Sequence, residues 1–377
     1  MNVNVTAPQG SSGVNPRFWR GKRVFLTGHT GFKGSWMGAS LTRLGARVTG
    51  FSLPPHTRPS HFALLPKEYE SLEGDIRDFE ALRDALRSTN PDMIIHMAAR
   101  TLVRASYADP VGTYATNVMG TLHVLEAIRQ APSVRAALIV TSDKCYENRE
   151  TIRPYVESDP FGGHDPYSSS EGCAEILTSS MRRSFFSNSN CLIASARAGS
   201  IIGGGDWAAG RLIPDCMRAW LKREPVRIRR PRAIRPWQHV LDPLSGYLQL
   251  MQTLFAGPRI FAKGWNFGPT LDSAWPVERV VDAVKARLPG FDFYVEPSSE
   301  HEDNVLTLDS EKARRELSWR PRWGIETALE KTLEWYTTYQ DTGALLTDQQ
   351  IQEHMTGSRF SDMKAGTGSL LHFSAAS

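Results

Sequence analysis

The middle of the chain brings together groups able to move protons. Thr141-Ser-Asp-Lys144 sets a hydroxyl, a carboxylate and an amine side by side, and Tyr167 follows at the start of a helix-compatible stretch. A tyrosine phenolate can take the proton from an alcohol while a hydride leaves the same carbon, and Ser142, Asp143 and Lys144 offer a hydrogen-bond donor, an acid and a base. The same residues would also make an ordinary polar β-to-α loop with an N-cap. A phenol near pKa 10 is a poor base at neutral pH unless positive charge favours its ionised form. One helical turn beyond Tyr167 the chain carries Glu171 instead. A carboxylate there raises the phenol's pKa, cannot donate a hydrogen bond as an ammonium does, and is expected to slow the transfer by about tenfold or more.

A second cluster lies upstream. Gly28-His-Thr-Gly31-Phe-Lys-Gly34 follows a short apolar run and precedes a helix-compatible stretch. Glycines three apart let the chain turn tightly and bring backbone N–H groups to a pyrophosphate at a helix N-terminus. Turns use glycine anyway, but a strand before and a helix after point to a dinucleotide. The second strand ends in Gly50-Phe-Ser52 rather than in an acidic residue that would grip the adenosine ribose, and Arg58 leaves a phosphorylated dinucleotide open. Asp75, in Gly74-Asp-Ile-Arg-Asp78, could meet the adenine or cap the next helix. Met97-Ala-Ala99 supplies small residues where a backbone must pass close to a cofactor.

These clusters need a scaffold. Apolar runs at Val24–Thr27, Arg47–Phe51, Met93–His96, Ala137–Thr141 and Leu192–Ala196 alternate with helix-length segments. That order predicts an α/β fold with a doubly wound, Rossmann-like parallel sheet. Residues 1–18 read as a flexible arm, 19–198 as the dinucleotide-binding domain, 199–340 as mostly a smaller C-terminal substrate lobe with some segments returning to the first domain, and 341–377 as a peripheral tail. A helix is expected around Pro214–Lys222, ahead of the basic stretch Arg227–Arg235, which reads as a charged face.

The 377 residues carry a net charge of only +4, which argues against a nucleic-acid partner. No run reaches the roughly twenty apolar residues of a membrane span, and the polar start lacks a secretory apolar region, so a cytoplasmic location is expected. Cys145, Cys173, Cys191 and Cys216 have no zinc-ligand spacing, and no metal is expected.

With those stretches in hand, the chain resembles the CDP-glucose 4,6-dehydratases of the extended short-chain dehydrogenase/reductase family over about residues 18–340. The resemblance rests on Gly28–Trp36, Leu102–Tyr107, Tyr114–Thr121, Thr141–Asn148, Ala196–Gly199, Gly203–Trp207 and Ile234–His239. It implies NAD held tightly by Gly28, Thr30, Gly31, Phe32, Lys33, Gly34, Asp75, Ile76, Ala98, Ala99, Asn117, Tyr167 and Glu171. It implies Ser142, Asp143, Lys144 and Tyr167 as the catalytic set, with Arg104, Ser200, Arg211 and Arg235 on CDP-glucose or a related nucleotide sugar. It also implies a homodimer paired through helices around 112–130 and 167–185. Three departures cluster at this pocket: Glu171 for lysine, Ser200 for asparagine, and Arg100-Thr101 for glutamine and proline. They leave open a retuned or impaired dehydratase, a 4-epimerase, or a binding homologue.

Overall fold

The computed structural model describes residues 13–296 and 305–357. Its centre is a seven-stranded sheet in the order β3-β2-β1-β4-β5-β6-β7. The strands are β1 (Arg23–Thr27), β2 (Arg47–Ser52), β3 (Glu70–Glu73), β4 (Met93–His96), β5 (Ala136–Thr141), β6 (Leu192–Arg197) and β7 (Gly264–Asn266). Every neighbouring pair runs parallel. The helices that matter for the site are α1 (Phe32–Arg43), α2 (Phe79–Thr89), α3 (Thr121–Arg129), α4 (Pro166–Ser184), α5 (Leu212–Lys222) and α6 (Leu241–Ala256).

Successive side chains of a strand point to opposite faces, and here both faces are covered. Val24, Leu26, Met93, Ile95, Leu138 and Ala194 enter one core with Trp36, Met37 and Leu41 of α1 and Tyr247 and Leu248 of α6. Phe25, Ile94, Ile139 and Ile193 enter the other, against Leu82 and Leu86 of α2, Val124 and Ile128 of α3 and Met181 of α4. Burial on both sides explains why the central strands read as continuous apolar runs. At one edge, β3 is Glu-Ser-Leu-Glu and mostly exposed.

The smaller lobe is built from α5 and two short pairings. Val226–Ile228 runs parallel to Phe293–Val295, and Ile234–Pro236 antiparallel to Ala274–Pro276. Among the described residues no helix is long and apolar enough to cross a membrane.

The two ends depart from the arm and tail expected of them. Residues 1–12 and 358–377 lie outside the described residues, but Pro16–Trp19 forms a helical turn capped by Asn15. Trp19 is buried, with its indole N–H donating to Gln252 Oε1 at 2.7 Å. Thr347–Thr356 is a helix whose Gln350, Ile351 and His354 are buried, and His354 Nε2 lies 2.9 Å from Asp242 Oδ1. Its buried face is largely polar, so no apolar periodicity announces it.

Candidate active site

Gly28 follows β1 at φ +74, and a Cβ there would stand 2.6 Å from the Ala98 backbone nitrogen. At Gly34 a Cβ would stand 2.1 Å from the Gly28 carbonyl oxygen. These two glycines are therefore set by close backbone approach, and Gly31 between them forms the N-cap of α1. The turn opens onto a cleft of about 1550 Å³ that runs across the carboxyl ends of the strands. Thr30, Phe32, Lys33, Asp75, Ile76, Ala98 and Ala99 line it too, so a glycine turn, a helix N-terminus and small residues converge as a dinucleotide requires.

Two of the expected cofactor residues have partners within the protein. The Asp75 carboxylate accepts from Arg77 Nε at 2.8 Å and from the Arg77 backbone, which holds its pKa below the usual range, while Asp78 is the residue that caps α2. Asn117 does not reach the cleft wall. Its side chain accepts from the Arg100 N–H at 2.8 Å and donates to Arg100 O and Ser170 Oγ, within a π-helical stretch Ala115–Gly120. Asn117 thus pins the loop after β4 to α4. Ser52 Oγ lies 2.9 Å from Thr30 Oγ1.

At the chemical end, Asp165 caps α4 by accepting from Ser168 N at 2.9 Å, and Pro166 opens the helix. This places Tyr167 in the first turn, against the residues that leave β5. The Tyr167 hydroxyl donates to Ser142 Oγ at 3.1 Å, and the Lys144 N–H donates to the same oxygen at 3.3 Å. Glu171, one turn along α4 and buried, lines the same cleft. Asp143 and Lys144 line the same cleft, and Gly199 packs so closely that a Cβ would stand 1.8 Å from Asp143 Oδ2.

Burial raises the Tyr167 pKa well above its ordinary value, and the Glu171 charge adds to this; the Ser142 bond and Arg211 act against it. Burial also lifts Glu171 to about 7, opposed by Ser142 and Lys33 and reinforced by Glu175 and Asp143. Lys33, partly buried, is lowered to about 8 by desolvation despite the pull of Glu171, and its Nζ stands 5.9 Å from the Tyr247 ring centroid. A lysine expected from sequence at the cofactor therefore also reaches the catalytic end.

One turn deeper on α4, Glu175 is held by a closed network. Arg197 of β6 donates to both its oxygens at 2.9 and 2.8 Å, and Thr141 Oγ1 and Ser195 Oγ each donate at 2.6 Å. These partners outweigh burial and lower its pKa. Arg197 continues to the Tyr146 hydroxyl at 2.5 Å, which donates to Asn266 Oδ1 of β7 at 2.8 Å.

Across the cleft, Arg211 at the N-cap of α5 donates to Asp206 Oδ2 at 2.9 Å and to Thr101 Oγ1 at 2.7 Å. Thr101, one of the departures, thus ties the loop after β4 to the smaller lobe. Arg100 pairs instead with Asp109. Ser200 sits at φ +50, where asparagine is better tolerated than serine. Arg104 and Arg235 line the cleft, and so do Arg227, Arg229 and Arg230 of the basic stretch set aside as a charged face. The signal that could have found them is the density of arginine beside Arg235.

Residues 25–332 match a family model described as GDP-mannose 4,6 dehydratase. CDP-glucose 4,6-dehydratase of Salmonella typhimurium is 48% identical over 336 residues, covering 86% of this chain and 93% of that protein. Among solved structures, a UDP-glucose 4-epimerase of Thermotoga maritima with UDP-glucose superposes with a TM-score of 0.75 at 20% identity, covering 85% of this chain and 100% of that one. A dTDP-glucose 4,6-dehydratase of Bacillus anthracis in complex with NAD gives 0.71 at 20% identity, covering 85% and 98%. The two structures share the fold; the sequence match and the family model go further, and the chain belongs to the nucleotide-sugar 4,6-dehydratase family, alongside the CDP-glucose 4,6-dehydratases.

Proposed function

We propose that this chain dehydrates CDP-D-glucose to its 4-keto-6-deoxy product. The observation that carries the reading is the 3.1 Å contact between Tyr167 and Ser142, beside Asp143-Lys144 and inside the cleft that the glycine turn enters. NAD, when bound, would supply a reversible hydride acceptor for oxidation at C4 and reduction at C6. The turn from Gly28 to Gly34, with Ala98 and Ala99, would hold it. Tyr167 receives the O4 proton. The C4 ketone acidifies C5, Lys144 takes the C5 proton, and Asp143 protonates the C6 hydroxyl as it leaves as water. The tight Gly199 backing keeps the Asp143 carboxylate fixed for that step. Arg211 and Arg235 present guanidinium forks to the diphosphate, and Arg104 and Ser200 line the sugar-nucleotide side.

The enzyme is further proposed to work in the cytoplasm as a homodimer. The dimer is supported by exposed apolar side chains on the helical surface around α3 and α4, with Val111 78%, Met119 46% and Ile176 57% exposed. Incubation with NAD and CDP-glucose deuterated at C4 tests the activity. The label is expected at C6 of a keto-sugar. Label returned to C4 would make the chain an epimerase, and CDP-glucose bound without any product would make it a binding homologue.

A further inference from the structure

Thr141, Arg197 and Asn266 stand side by side across the carboxyl end of the sheet. Thr141 is the register partner of Arg197, and Arg197 of Asn266, so the last residues of β5, β6 and β7 form one row. Side chains in register share a face, as do residues two apart on a strand, and Thr141, Ser195 and Arg197 all meet α4 there. Glu175 of α4 accepts from each of them.

This row grips the turn that carries Ser142, Asp143 and Lys144. Thr141 immediately precedes the turn, and its hydroxyl donates to Glu175 at 2.6 Å. Tyr146 lies two residues beyond Lys144, and its hydroxyl accepts from Arg197 at 2.5 Å and donates to Asn266 Oδ1 at 2.8 Å. The Tyr146 ring also stacks on Tyr155, with centroids 5.4 Å apart. Glu175 sits about two turns along the same helix from Tyr167. One carboxylate therefore ties the helix bearing Tyr167 to the turn bearing the other reacting groups.

A buried ion pair is a poor source of stability, because apolar residues of similar volume can fill its place without the desolvation cost. What apolar residues cannot supply is directed hydrogen bonds to Thr141 and Tyr146. Glu175, Arg197 and Tyr146 are all buried and none lines the cleft, so they reach the chemistry only through other residues.

We propose that Glu175 and Arg197 are positioning residues for the dehydration, a clasp that sets the Ser142–Lys144 turn against Tyr167 by holding Thr141 at one end and Tyr146 at the other. The proposal rests on the dehydratase reading. The two ends serve different halves of the reaction. Thr141 adjoins Ser142, which meets the Tyr167 hydroxyl used at C4, whereas Tyr146 holds the end from which Lys144 acts on C5. A displacement of about 1 Å at a reacting group can cost on the order of 10²-fold in rate.

Glu175→Gln strands Arg197 and mixes folding with function, so the test releases one end at a time in the full-length protein, with Thr141→Val and Tyr146→Phe. Each should keep KM for CDP-glucose within about twofold and lower kcat by roughly tenfold or more. Thr141→Val slows oxidation, so it should raise the isotope effect of C4-deuterated CDP-glucose on kcat, and Thr141→Ser should restore the parental rate. Tyr146→Phe should leave that isotope effect unraised and instead build up the absorbance of reduced nicotinamide during turnover, because elimination lags behind oxidation. Parental kcat in either variant, a change confined to KM, no recovery in Thr141→Ser, or a loss matched by the unfolded fraction in circular dichroism overturns the clasp and leaves the dehydratase reading intact. No product from the parent overturns both.

Discussion

Glu171 and Glu175 are the same side chain one helical turn apart, both 4% exposed or less, and they end in opposite electrostatic states. Glu175 meets a guanidinium fork and two hydroxyl donors, and its charge is settled below the usual range. Glu171 has no such fork, and burial lifts its pKa to about 7 against the pull of Ser142 and Lys33. Burial alone therefore does not decide what a buried carboxylate does. The number and kind of donors decide it, and the sparsely served one is left able to exchange a proton.

The largest expected effect comes from breaking the deeper network. Glu175→Gln should lower stability by about 3–5 kcal/mol, because Arg197 is left as an uncompensated buried charge; chemical denaturation measures it, and a loss below about 1 kcal/mol would show that the pair is not held as described. Next, Gly199 marks the border between the two environments, with β6 on one side and Asp143 on the other. Gly199→Ala should push the Asp143 carboxylate aside and reduce dehydration on the order of 10²-fold, with CDP-glucose binding largely kept.

The contrast should also appear as opposite pH slopes. Glu171, raised from 4.5 to about 7, contributes stability that is fully present below pH 4.5 and is lost as pH rises to 7, by up to about 1.4 kcal/mol per pH unit. Glu175, lowered, contributes stability present above its unfolded pKa and lost as pH falls through its depressed value. Melting curves from pH 2 to 8 should show the first slope vanish in Glu171→Gln while the acid-side loss below pH 4.5 remains. The smallest effect is at the turn beyond Gly199, where Ser200→Asn should add roughly 0.5 kcal/mol by easing a left-handed backbone. An unchanged or lower melting temperature would count against that account.

The dinucleotide end is legible in sequence because its signal is local: β1, the glycine turn and α1 are contiguous, and steric demand fixes Gly28 and Gly34. The end of β5 and Tyr167 are legible for the same reason. What sequence does not carry is reach. Lys33 reads as a cofactor contact, and only the packing of α1 against α6 brings it toward Glu171. Asn117 reads as a cofactor contact, but the π-helical stretch turns its amide onto the Arg100 backbone. Arg227, Arg229 and Arg230 read as a solvated face until the small lobe folds them over the cleft. The helix Thr347–Thr356 stays hidden because hydrogen bonds, rather than an apolar stripe, seat it.

The ends of the central sheet carry a last consequence. One border strand, β3, shows Glu70 and Glu73 to water, and the other, β7, has its Gly264 carbonyl taken by Lys312 Nζ at 2.5 Å beneath the helix Glu311–Leu317. A further strand arriving from outside would meet like-charged repulsion or desolvation at the first border and an occupied acceptor at the second. Crowding at high expression should therefore yield discrete particles joined through helical surfaces rather than fibres growing strand by strand.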